Sequence, residues 1–69
     1  MQKRRLMFAY HDLIKVGKFG AAWNVLRLLQ RGSISLGTDD SSWEVEKIAK
    51  KLGLRISYGY NYYSARISL

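Results

Sequence analysis

The residues able to do chemistry in this chain are few, and their spacing favours binding over catalysis. His11 is the single histidine among 69 residues, and there is no cysteine. A general base needs a nucleophile or an orienting carboxylate at recognisable spacing, and none accompanies His11. One histidine without a thiol also excludes the usual zinc ligand sets within one chain. Asp39, Asp40, Glu44 and Glu46 form an acidic group. No twelve-residue calcium-loop pattern surrounds them, and their place at the start of a helix accounts for them. The six glycines are scattered and make no phosphate loop. Catalytic residues, metal and cofactor are therefore all expected to be none.

What remains is positive charge. Twelve Lys and Arg stand against five Asp and Glu, giving +7. Residues 1–32 hold seven basic residues and one acid, a balance of +6, while residues 33–69 balance at +1. Lys3, Arg4, Arg5, Lys15, Lys18, Arg27 and Arg31 carry the first half. A half this basic attracts polyanions. Lys3-Arg4-Arg5 makes a short arm of the kind that lies along phosphates or enters a minor groove. Tyr58, Tyr60, Tyr62 and Tyr63, beside Arg55 and Arg66, form a second candidate surface. Aromatic rings interleaved with arginines can stack on unpaired bases. Tyrosine is also a good strand former, so Tyr58 and Tyr63 read as packing residues, with Tyr60 and Tyr62 nearer the turn and open to bases.

Five stretches must position these groups. Leu6, Tyr10 and Leu13, joined by Met7 and Ile14, predict a helix over 3–16 that stops at Gly17. Ala22, Trp23, Val25, Leu26 and Leu29 predict a second helix over 20–31, ended by Gly32, with Trp23 and Trp43 expected in the core and an exposed interface anchor as the alternative for Trp43. The short link at 17–19 makes the pair a helical hairpin or sharp corner, on which Lys15, Lys18, Arg27 and Arg31 extend one basic surface if the helices lie side by side. Ser33-Ile34-Ser35-Leu36 alternates as a short strand. Ser41 and Glu44 have capping-box spacing for a third helix over 41–52, lined by Val45, Ile48, Ala49 and Leu52. Glu46 and Lys50 form an i,i+4 pair on it, and Gly53-Leu54 closes it. Residues 54–69 alternate in two runs and predict a β-hairpin.

The expected fold is α+β: three short helices plus a C-terminal β-hairpin. It is one domain over 1–69, made of a basic helical hairpin (1–32), a short strand and capped helix (33–53) and the hairpin (54–69). This order resembles a winged helix, although winged helices place the short strand between the first two helices. The resemblance implies a helix at 41–52 offering Lys47, Lys50 and Lys51 to a DNA major groove. Glu44 and Glu46, at its leading end, oppose phosphate there. A chain this short buries only about 60% of its unfolded surface, so its stability should be about 3–5 kcal/mol.

Two functions follow as expectations. The first is a small basic nucleic-acid-binding module, a phage- or plasmid-type regulator, preferring DNA over RNA. The second is a protein-binding inhibitor or adaptor that docks on an acidic surface of a host protein such as a polymerase or nuclease. A cytoplasmic, non-membrane setting is expected, since Gln2-Lys3-Arg4-Arg5 precedes no clean apolar run and no stretch reaches the roughly 20 apolar residues of a span. A tyrosine-rich edge strand leaves a homodimer open.

Overall fold

A computed structural model describes residues 2–58 and 65–69. It contains α1 (Gln2–Lys15), α2 (Phe19–Arg31), β1 (Ser33–Ser35), α3 (Asp40–Leu52), β2 (Arg55–Ser57) and β3 (Arg66–Ser68). The three helices accompany one three-stranded antiparallel sheet of order β1-β3-β2, an α+β fold. The second half of the expected hairpin is the central strand, pairing with β2 on one side and β1 on the other.

Glycine ends each helix for the same local reason. Gly17, Gly32 and Gly53 all have positive φ, the left-handed conformation that side chains disfavour. At the first and third, the next residue folds back: Lys18 N donates to Leu13 O at 2.8 Å, and Leu54 N to Ala49 O at 2.9 Å. This is the Schellman closure, and it tucks Leu54 into the core.

The core is one cluster in which Leu6, Leu28, Ile67, Val25 and Val45 are the largest fully buried side chains. Leu6 and Leu13 face it from α1; Ala21, Ala22, Val25 and Leu28 face it from α2. Here the sequence expectation needs correction. Trp23 is 61% exposed and Trp43 57% exposed, so neither tryptophan is a core residue. The apolar residues of α2 cover more than half its circumference, leaving the choice of buried stripe to its neighbours. The stripe chosen begins with two alanines, which let the helices approach closely. Trp23, four residues from exposed Phe19, shares the outward face.

The N-terminus of α3 also differs from expectation. The helix starts at Asp40 and its cap is Asp39, whose Oδ1 accepts from Ser42 N at 3.0 Å. Ser41 lies within the first turn. Ser42 is buried, and its Oγ accepts from Gly37 N at 3.0 Å, fixing the approach from β1. Hydrogen bonds from Ser42, its side chain first and its backbone second, hold the Asp39 carboxyl below its ordinary value. Glu44 and Glu46 serve elsewhere: Glu46 accepts from the Tyr58 hydroxyl at 3.1 Å and makes no ion pair with Lys50.

Candidate functional site

Three tripeptides build the open face of the sheet: Ser-Ile-Ser at 33–35 and Arg-Ile-Ser at both 55–57 and 66–68. Side chains alternate across a strand, so each isoleucine faces opposite to its neighbours. The register aligns Ile34, Ile67 and Ile56 in one row against the helices. The flanking residues form two rows on the other face: Ser33, Ser68 and Arg55 in one, Ser35, Arg66 and Ser57 in the next. That face therefore carries only serine and arginine.

Arg66 is held in place across the strands. Its Nη1 donates to Ser35 Oγ at 3.2 Å and its Nη2 to Ser33 Oγ at 3.1 Å. Arg27 and Arg31, four residues apart on α2, come alongside. Together with Ser33, Ile34 and Ser35, these three arginines line a pocket of about 290 Å³. No carboxylate lines it, and none of the three arginines makes an ion pair among the described residues. Like charges four apart on a helix cost about 0.2–0.5 kcal/mol, so the cluster stands as a cationic site without its counter-charge.

The remaining basic residues lie elsewhere. Lys3, Arg4 and Arg5 are exposed on the opening turns of α1, and Lys15 is exposed at its end. Lys18 Nζ lies 3.2 Å from Glu44 Oε1, and Lys47 Nζ lies 3.5 Å from the same oxygen. Lys47 also sits 4.1 Å above the Trp43 ring. The Lys18 hydrogen bond keeps the Glu44 carboxyl below its ordinary range. Lys50 and Lys51 are exposed on α3. Lys51 and Arg5 border a groove between α1 and α3 whose walls include Phe8, Leu13, Val16 and Ile48.

Among the aromatics, Tyr60 and Tyr62, with Tyr63, lie outside the described residues. Tyr58 is 58% exposed and bound to Glu46, which corrects the expectation that it packs inward. His11 is exposed and meets Tyr10 edge-on at 5.4 Å. Among the described residues no group of three or more His, Cys, Asp or Glu is placed to hold a metal, and no helix is long and apolar enough to cross a membrane.

Sequence reasoning placed Arg27 and Arg31 on a helical basic surface and Arg55 and Arg66 beside the tyrosines, but did not bring Arg66 to the two helical arginines or include the serines in the site. The signal was present in the repeated tripeptide, whose copies share a central isoleucine and polar flanks. No protein-family model, no curated protein and no solved structure matches this chain.

Proposed function

We propose that this chain is a small nucleic-acid-binding module, a regulator of phage or plasmid type acting in the cytoplasm, with DNA preferred over RNA. The observation that carries this reading is the open sheet face, where Arg55 and Arg66 stand among four serines with Arg27 and Arg31 at the edge. Arginine forks and hydroxyls are the groups that contact phosphate backbones, and no acid interrupts them here. The exposed Lys3, Arg4, Arg5 and Lys15 add long-range attraction. In a winged-helix-like arrangement of these elements, the sheet replaces α3 as the principal contact, because Glu44 and Glu46 lie on α3. Fluorescence anisotropy against duplex DNA, single-stranded DNA and RNA across a salt series tests this. Replacing Arg27, Arg31, Arg55 and Arg66 with alanine should abolish binding at near-physiological salt. Unchanged affinity would show that the face is not the interface.

One observation favours the second reading, docking on an acidic partner protein. Phe8, Phe19, Trp23 and Trp43 are all more than half exposed, and aromatic side chains anchor protein interfaces. That reading predicts a one-to-one complex that survives nuclease treatment and is lost on Phe19→Ala with Trp23→Ala. Failure to bind nucleic acid at about 50 mM salt, where phosphate contacts are strongest, would bring it forward.

A further inference from the structure

We infer that the pocket between Arg27, Arg31 and Arg66 is a discrete phosphate site that takes a phosphomonoester, the terminal phosphate of a nucleic-acid strand. The inference rests on the nucleic-acid reading and adds which phosphate is held, and where.

Three features point to a single, highly charged oxyanion. The first is charge. Three guanidinium groups line one pocket with no carboxylate among its walls. An internal phosphodiester brings one negative charge, whereas a phosphomonoester brings about −1.5 to −2 at pH 7. Three cations exceed what an internal diester needs and match a terminal phosphate better.

The second feature is preorganisation. A guanidinium has five N–H donors. Arg66 commits one from each Nη to Ser35 and Ser33, which fixes its plane and leaves further donors free for an oxyanion. Each serine accepts from Arg66 through its oxygen, so its own hydroxyl proton remains to be donated. The same two bonds that hold Arg66 thus turn two more donors toward the site.

The third feature is shape. The pocket lies where α2, β1 and β3 meet. It occupies about 290 Å³, at the lower end of the roughly 300–1,000 Å³ of small-molecule sites. A pocket admits a strand end more readily than a continuous backbone, which suits the flat serine and arginine rows beside it.

The test compares one oligonucleotide carrying a 5′-phosphate, a 3′-phosphate or hydroxyl ends, by anisotropy at fixed ionic strength. One phosphorylated end should bind roughly tenfold tighter than the hydroxyl form, the scale of one charge-assisted hydrogen bond. Arg66→Lys keeps the charge but loses the fork, and should lower affinity for the phosphorylated end more than for the hydroxyl form, so that the two become nearly equal. Ser33→Ala with Ser35→Ala should weaken the preference without removing it. Equal affinity for all three ends, with nucleic-acid binding intact, would overturn the phosphate site and leave the broader reading standing. Inorganic phosphate shifting the Arg66 Nε resonance while none of the three oligonucleotides binds at about 50 mM salt would overturn the nucleic-acid reading, and with it the strand end, while retaining the anion pocket.

Discussion

Lys18, in the corner between α1 and α2, lies 3.2 Å from Glu44 on α3, and Lys47 approaches the same carboxylate oxygen from one turn along that helix. Two of the twelve basic residues are thereby partnered within the chain. They should matter little to a polyanion. Lys18→Ala with Lys47→Ala is expected to leave DNA affinity and its salt slope nearly unchanged. Removing arginines from the sheet face should instead flatten the log–log salt slope by about 0.9 for each B-DNA phosphate no longer neutralised. Equal effects from the two sets would mean that net charge, not a defined face, drives binding.

Acid should loosen α3 before the rest of the molecule. The Asp39 and Glu44 carboxyls are both held below their ordinary values of 3.8 and 4.5, by Ser42 hydrogen bonds and by Lys18 respectively. A depressed folded-state pKa adds stability above the unfolded value, and that stability is lost as pH falls through the folded one. The thermal midpoint should therefore hold near neutrality and decline below about pH 4.5. Asp39→Asn retains a good cap but cannot titrate. Combined with Glu44→Gln, it should flatten the acid limb of a pH–stability curve, and an unchanged limb would locate the acid sensitivity elsewhere.

Ile67 is the residue on which the sheet depends. It is fully buried on the central strand, with Ile34 and Ile56 opposite it on either side. Ile67→Val should cost about 0.5–1.5 kcal/mol, and Ile67→Ala about 2–5 kcal/mol. Against a total of about 3–5 kcal/mol for a domain this small, the first variant should fold and the second should be largely unfolded. Far-ultraviolet circular dichroism and urea titration would show it.

Gly20 and Ser41 set the spacing of α2 and α3. A Cβ added at Gly20 would lie 3.1 Å from Ser41 Cβ and 3.4 Å from its Oγ. In an open helix, alanine would gain about 0.5–1 kcal/mol over glycine. Here overpacking, typically about 1–3 kcal/mol, should exceed that gain. Gly20→Ala is expected to lower the urea midpoint, and adding Ser41→Gly should recover part of the loss. A raised midpoint for the single variant would mean that the two helices separate at little cost.

The helices and their ends were legible because their causes are local. Leu6 and Leu13 recur at helical spacing, and Gly17, Gly32 and Gly53 stop the chain in a conformation that only the neighbouring residues need to specify. The cap of α3 was misplaced by two residues because Asp39 and Ser41 are both good caps, and the Ser41–Glu44 spacing mimics a capping box. Lys18, distant in sequence, takes Glu44 away from that role. Trp23 was misplaced because period alone cannot choose among the apolar faces of α2.

The candidate site divides along the same line. The amino-acid sequence by itself determined the charge, the concentration of arginine and lysine in residues 1–32, the lack of a recognisable catalytic or metal-ligating set and the alternation that makes strands at 33–35, 55–57 and 66–68. Those properties depend on composition and on neighbours within a few residues. Only the tertiary structure decided that the last strand runs between the other two, bringing Arg66 against Ser33 and Ser35 from more than thirty residues away. Strand register is a long-range pairing, chosen by which isoleucines can be buried together beneath the helices. Once that row is buried, the alternation of the backbone leaves the serines and arginines on the open face.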